Sequence, residues 1–291
     1  HRDLHSFPTR RSSDLATVQN SATESITMDA ALVNANAADI NNTLNLFGQL
    51  IPDVDPTQAA PTVIRTVVSG DVTMNAGNAN TLNIGTEHNG VASYANFGSA
   101  TVTGALDLTG LTNTIAVWAG TEATYTDGPS AGTEVDMRAL AGSVAMSGKT
   151  NVLGVNQGAL GITTGGVELT NLDANGDVIA DATNNVTVRD TAMLILDEAD
   201  GGERQAVTLG SASVNLGTIT PSGYYGDADL TTVQRDADGY ETYVYNWKDT
   251  STPGIDTAAA TTTNIVGTSG KLYAGDLTMT GRTNIVSVAG P

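Results

Sequence analysis

The residues of this sequence best suited to recognising a ligand are aromatic. Tyr240, Tyr243, Tyr245 and Trp247 lie in one short stretch, and the last three alternate in sequence, so they would share one face of a strand. Aromatic rings on one face can bind sugar rings or a partner protein. An antiparallel hairpin that packs these rings against the rest of the chain is the alternative interpretation. We predict these four residues as the candidate ligand or partner surface, in a Tyr-rich hairpin insertion spanning about residues 197–270.

Residues with catalytic chemistry are scarce. The chain has no Cys, and His88 is the one His beyond residue 15, which argues against thiolate, His-triad and multi-His metal sites. Glycoside hydrolysis needs paired carboxylates. Two sets of acidic residues are close in sequence, namely Asp190, Asp197 and Glu198, or Asp227 and Asp229. Such pairs are expected by chance among 31 Asp plus Glu, and the sequence motifs of β-helical polygalacturonases are absent. We predict that the protein is not an enzyme.

Three loop-like segments resemble ligand-binding motifs without completing them. Ser147–Thr150 reads SGKT, but five residues rather than four separate Gly142 from Gly148, so the phosphate-binding spacing is missing. The acidic stretches 173–177 and 236–239 lack the Glu at the twelfth position of a calcium-binding EF-hand loop and are typical of hairpin turns. We predict no cofactor and no metal, with a specific Ca²⁺ site as the less favoured alternative.

The charge of the chain restricts its partners. The formal net charge is −19, whereas binding to nucleic acid or to an anionic membrane requires positive charge. No run of eighteen apolar residues is present, so we expect no membrane insertion by a helix. Cell-surface glycans or proteins remain as candidate partners, and the oligomeric state is left open.

Residues 1–15, HRDLHSFPTRRSSDL, differ in composition from the Thr-, Asn-, Gly- and Ala-rich remainder. When this segment is back-translated, it resembles a standard sequencing-adapter oligonucleotide with matching codons through the start of Leu15. We therefore expect residues 1–15 to be an artefactual tail that does not belong to the natural protein. We expect residues 16–291 to be a single repetitive fragment of a longer protein.

An internal repeat organises that fragment. Gly104–Val117, Gly142–Val155 and Gly275–Val288 all fit the pattern G-x-[LV]-x-[LM]-[TS]-G-x-T-N-x-[ILV]-x-V without a gap. Gly70–Ile84 fits with one inserted residue, and Asn184–Leu196 is a degraded copy. The repeat is too short for consecutive antiparallel sandwich domains.

Each repeat has the pattern of two strands joined by a tight bend. Apolar residues alternate on both sides of T-G-x-T-N, as in half-buried strands. We expect the Gly and Asn of this motif to adopt the left-handed conformations of a tight bend, and the recurrent Asn would form a ladder of side-chain hydrogen bonds if the repeats stack. One repeat cannot bury its apolar face alone, whereas a stack can. The sequence therefore predicts an all-β fold, namely a β-solenoid in the form of a right-handed parallel β-helix.

The segments GDVTMNAGNANTLNIG, GALDLTGLTNTIAVWAG and GDLTMTGRTNIVSVAG resemble the passenger-region repeats of bacterial autotransporter adhesins and similar β-strand-repeat surface proteins. The resemblance covers roughly residues 29–291. It implies a secreted, extracellular, structural or adhesive protein of the bacterial cell surface. A phage tail-fibre or tailspike component is the main alternative, followed by an S-layer-type subunit or a carbohydrate-active β-helix enzyme.

Overall fold

The computed structural model describes residues 14–29, 40–51, 62–88, 94–124, 132–173, 178–197, 203–210 and 262–288, and these residues form strands, turns and bends without a helix. The strands are β1 (Asp14–Gln19), β2 (Ala22–Thr23), β3 (Ile26–Asp29), β4 (Asn41–Ile51), β5 (Thr62–Ile64), β6 (Thr66–Val68), β7 (Val72–Asn75), β8 (Ala79–Ile84), β9 (Tyr94–Phe97), β10 (Ala100–Thr109), β11 (Thr112–Trp118), β12 (Glu122–Thr124), β13 (Glu134–Asp136), β14 (Ala139–Ser147), β15 (Thr150–Gln157), β16 (Ala159–Ile162), β17 (Val167–Thr170), β18 (Thr183–Val188), β19 (Met193–Leu196), β20 (Val207–Leu209), β21 (Thr263–Thr268), β22 (Lys271–Tyr273), β23 (Leu277–Met279) and β24 (Thr283–Val288).

Two long parallel sheets contain most of these strands. Sheet A has the parallel order β1-β4-β8-β11-β15-β18-β21-β24, and β5 and β9 pair antiparallel with the end of β4. Sheet B has two parallel columns, β2-β6-β10-β14-β16-β19-β22 and β3-β7-β10-β14-β17-β20-β23, which share the long strands β10 and β14. Strands β12 and β13 form a separate antiparallel pair. The predicted all-β architecture with parallel stacking of the repeats is confirmed.

Along the chain, the first column of sheet B, the second column of sheet B and sheet A are formed in that order, and the order repeats. We call each such set a layer, and the first and last of the seven layers are β2-β3-β4 and β22-β23-β24. The strand-bend-strand repeat of the sequence supplies the second column of sheet B and sheet A. The first column was not predicted, and Met193–Leu196, assigned in sequence to the degraded repeat, belongs to this column in the following layer. A short apolar run is compatible with either position until its register is known.

Alternation along the strands places one row of side chains inside. In β10 and β11, Leu106, Leu108, Ile115 and Val117 are fully buried, as the alternating pattern predicts. Inward residues of both sheets form one continuous apolar cluster from Ala16 to Val266. Each buried Leu, Ile or Val contributes about 1.5–3 kcal/mol relative to an exposed position, so this cluster supplies the main stabilisation of the stack.

The predicted asparagine ladder is confirmed and runs through all seven layers. The Nδ2 of each Asn donates to the Oδ1 of its register partner in the next layer, over 2.8–3.0 Å. The ladder residues are Asn42, Asn80, Asn113, Asn151, Asn184, Asn264 and Asn284.

The second hydrogen of most of these amides bonds to the backbone of the neighbouring bend. Asn80 Nδ2 donates to the carbonyl of Thr109 over 2.8 Å, and Asn151 Nδ2 donates to that of Thr170 over 2.7 Å. Except for Asn284 at the last layer, every ladder side chain is fully buried. Because a buried amide is costly unless it is hydrogen-bonded, the ladder fixes both the register of the layers and the path of each bend.

The first ladder residue has an unsatisfied acceptor. Asn42 Oδ1 is buried and receives no hydrogen bond within the described part of the chain. In each later layer the corresponding Oδ1 accepts a hydrogen bond from the Nδ2 of the preceding ladder Asn, whereas Asn42 is the first Asn of the ladder.

The glycine of the bend is required by a close approach between layers. A Cβ on Gly148 would meet the carbonyl oxygen of Gly110 and lie 2.9 Å from Asn113 Nδ2, and a Cβ on Gly110 would lie 2.8 Å from Asn80 Nδ2. Neither glycine has a positive φ. The sequence interpretation of these glycines as left-handed bend residues is therefore wrong, because the space beside them is filled by the ladder of the adjacent layer.

We predict that Gly148→Ala destabilises the protein by about 1–3 kcal/mol, the usual cost of forcing an extra methyl group into a packed site. Gly267→Ala is the matched control, because a Cβ there would meet no atom within 4 Å. Thermal unfolding of both variants, followed by circular dichroism, measures the difference. A Gly148→Ala variant as stable as Gly267→Ala would show that the layers do not approach as closely as described.

Candidate functional site

The aromatic residues predicted as a ligand or partner surface, Tyr240, Tyr243, Tyr245 and Trp247, lie outside the described residues. Their role stays a prediction from the sequence. Of the span predicted as an insertion, the structure describes residues 197, 203–210 and 262–270. Within them, Val207–Leu209 and Thr263–Thr268 pair with sheet B and sheet A as β20 and β21. Asp14 and Leu15, within the segment predicted to be artefactual, begin β1.

The outward face of sheet A is the most regular surface of the described residues. It consists of the first, third and fifth residues of each sheet A strand from β4 to β24, whose inward neighbours are the ladder Asn and the core residues. We call this surface the outer face of sheet A. Its residues are Asn-Thr-Asn in β4, Ala-Thr-Asn in β8, Thr-Thr-Ala in β11, Thr-Val-Gly in β15, Thr-Asn-Thr in β18, Thr-Ile-Gly in β21 and Thr-Ile-Ser in β24.

This face carries no charged side chain at these positions. Its first row contains Thr in five successive layers, from Thr112 to Thr283, in register. Polar contacts run along the stack at the opposite end, where Asn83 Nδ2 donates to Asn45 Oδ1 over 2.9 Å and Asn78 Nδ2 donates to Asn41 Oδ1 over 2.8 Å. The outer face of sheet A is therefore a regular, neutral array of hydroxyl, amide and small apolar groups.

Arg65, which lies between β5 and β6, is the centre of a cluster of charged residues. Its guanidinium donates to Thr101 Oγ1 over 3.3 Å, to the carbonyl of Arg138 over 2.9 Å and to the carbonyl of Asp136 over 2.6 Å. Arg138 in turn binds both carboxylate oxygens of Asp136, over 2.9 and 3.1 Å, and lies 3.9 Å from Glu122. The cluster ties the antiparallel pair β12-β13 to the stack.

Hydrogen bonding shifts the titration of this cluster. Partial burial alone would raise the pKa of Asp136, but the hydrogen bonds from the side chain and backbone of Arg138, together with the charges of Arg138 and Arg65, hold it below its usual value. Partial burial lowers the pKa of Arg65, and the charge of Asp136 opposes that change. The hydrogen bonds of both guanidinium groups therefore join β13 to the neighbouring strands and hold the loops in place.

Sequence reasoning missed this cluster, because Arg65 and Asp136 are far apart in the chain. One signal was available in the sequence. The chain has 12 Lys plus Arg and 31 Asp plus Glu, and with so many acidic groups around it, an Arg is expected to pair with a carboxylate.

The carboxyl groups of Asp71, which directly precedes β7, and Asp107, which lies in β10, belong to successive layers. Desolvation and the nearby charge of Asp71 raise the pKa of Asp107, although its side chain remains accessible to solvent. The Asp71 carboxylate accepts a hydrogen bond from the backbone N–H of Ala105 over 2.8 Å. A raised carboxyl pKa is useful in a general acid. As to metal ions, no group of three or more His, Cys, Asp or Glu within the described residues is placed to hold one.

Two of the remaining sequence motifs lie in the described residues. Gly148 of the SGKT segment lies in the bend between β14 and β15, with strands and no helix on either side. Leu172 and Val178, which flank the acidic stretch 173–177, form an antiparallel bridge, the pairing expected at the base of a hairpin turn. The second acidic stretch, 236–239, lies outside the described residues. Among the described residues, no helix has the length and apolar character that crossing a membrane requires.

We predict that the salt-bridge cluster makes stability depend on pH. Because the pKa of Asp136 is lowered by folding, its contribution is present above the unfolded-state value of about 3.9 and is lost as the pH falls through the lower folded-state value. The difference in urea midpoint between wild type and Asp136→Asn should be largest near neutral pH and shrink below about pH 4. The control is Asp276→Asn, and a difference independent of pH would contradict the prediction.

No family model matches the sequence, and neither a curated protein nor a solved structure matches it.

Proposed function

We propose that this chain is a structural and adhesive part of a secreted bacterial cell-surface protein, folded as a right-handed parallel β-helix. The observation that supports this proposal most directly is the unbroken asparagine ladder, which holds seven layers in register. The resemblance of the repeats to autotransporter passenger regions supports the same class.

A stack of this kind suits a protein that must hold groups away from a surface. Each layer contacts its neighbours through the same core, ladder and bend, so layers can be added without changing any existing contact. The main-chain hydrogen bonds run along the stack, and resistance to bending grows with their continuity. A spacer needs these properties, whereas a catalyst needs convergent groups in a pocket.

The order of the strands supports a right-handed helical path. Neighbouring strands of sheet A are parallel and are connected through strands of sheet B. Connections between parallel strands of one sheet are right-handed almost without exception, because strand twist favours that hand. A chain that closes each layer with the same hand would form a solenoid.

The composition supports an extracellular setting. The net charge of −19 keeps the chain soluble and unattractive to nucleic acid or anionic lipid. The adhesive function is assigned to the Tyr-rich segment, in which Tyr240, Tyr243, Tyr245 and Trp247 would bind cell-surface glycans or proteins.

The gene that encodes this sequence provides the test. We expect its complete reading frame to begin with a signal peptide and to encode a cell-surface anchor or translocation domain. Antibodies against the purified chain should label intact cells as strongly as permeabilised cells. A reading frame without these elements, flanked by phage structural genes, would contradict the proposal and favour the tail-fibre alternative.

A further inference from the structure

The outer face of sheet A lacks charge in a chain that is otherwise strongly acidic. Charged residues are 15% of the chain and the net charge is −19, and exposed positions usually carry a larger charged fraction than the chain as a whole. Sheet B carries four charged residues at outward positions, namely Asp29, Asp107, Glu168 and Lys271. Sheet A therefore differs from sheet B in composition although both have the same strand geometry.

The face also presents apolar groups to solvent. Val152 and Ile265 lie in its central row, and Ile285 in the same row is 45% exposed. The Thr side chains of the face add methyl groups. Gly154 and Gly267, the fifth residues of β15 and β21, have no side chain, so the surface is shallow at these two positions. A solvated sheet usually carries charged side chains that keep other sheets away, and this one has none at the positions described.

The dimensions of the face are sufficient for an interface between two proteins. Seven strands about 4.8 Å apart, with five residues of about 3.3 Å each, give a footprint of about 500 Å² per copy. Two copies would together bury about 1,000 Å², which is the lower limit of a specific interface. Adding Leu15 and Thr17 of β1, which continue the same rows, increases this area.

We propose that the outer face of sheet A packs against the same face of a second copy of this chain, giving a two-fold symmetric dimer. Two small-residue sheet faces pack at about 10 Å, and an isologous contact uses the same residues from both partners. Two chains of net charge −19 repel each other, so association is least unfavourable where neither chain carries charge. A dimer would also present two copies of any adhesive segment side by side, which increases avidity.

Two double substitutions that add negative charge distinguish an interface on the outer face of sheet A from one elsewhere on the protein. Thr114→Glu with Thr187→Glu places two carboxylates on the outer face of sheet A, in β11 and β18. Thr27→Glu with Thr278→Glu adds the same charges on exposed outward positions of sheet B, in β3 and β23. Circular dichroism and thermal unfolding establish that each variant retains the fold.

Sedimentation equilibrium of the full chain measures the outcome. We expect the wild type and the sheet B variant to have the mass of a dimer, and the sheet A variant to dissociate at least tenfold more readily. A monomeric or trimeric wild type would overturn the proposal, as would equal dissociation of both variants. The mass is independent of where the protein is located, so failure here leaves the proposed cell-surface function to its own test.

A cross-linking measurement keeps the proposal testable if the glutamate variants fail to fold. The chain contains no Cys, so a single introduced thiol is the one reactive site for a short bis-maleimide. Thr114→Cys should give a cross-linked dimer, whereas Thr27→Cys on sheet B should remain monomeric in denaturing gels. Cross-linking of both variants to the same extent, or of neither, would overturn the proposal.

Discussion

The hydrogen bond between the amide of one asparagine and the carbonyl oxygen of the asparagine in the next layer sets the geometry of this protein. It orders the side chains along the core and, through the second Nδ2 hydrogen, also holds the adjacent bend. Asn80 and Asn113 show both contacts. The bend must then approach the ladder closely, so Gly110 and Gly148 have no room for a Cβ. The Gly and the Asn of the motif T-G-x-T-N are the two residues that this constraint requires.

Because the ladder fixes the spacing of the layers, the connections between strands are free to vary. Leu172 and Val178 bridge across a hairpin-like connection before β18, and Asn171 exchanges hydrogen bonds with Asn184 of the ladder there. The entropic cost of lengthening a loop grows only slowly with its length. Loops can therefore carry additional groups, such as the cluster around Arg65, without disturbing the core.

The two sheets share a core and differ outside it. Sheet B presents carboxylates such as Asp107 and Glu168, whereas sheet A presents neutral Thr, Asn, Gly, Val and Ile. Outward residues contribute little to the stability of the stack, so their composition can follow the surroundings of each face. The two faces of the stack therefore differ in charge, and the neutral outer face of sheet A is the side on which we propose association.

The sequence by itself determined the strand alternation, the parallel stacking of repeats and six of the seven ladder residues, including Asn184 in the degraded repeat and Asn284 in the last one. It missed Asn264, which lies in the span predicted as an insertion. These features depend on local residue patterns that recur, so they are visible without coordinates. Tertiary structure alone decided the first column of sheet B, the reason for Gly148 and the contact of Arg65 with Asp136. It also decided which residues share the outer face of sheet A. These features depend on register and on the path of connections between layers, and neither is encoded in the periodicity of a single strand.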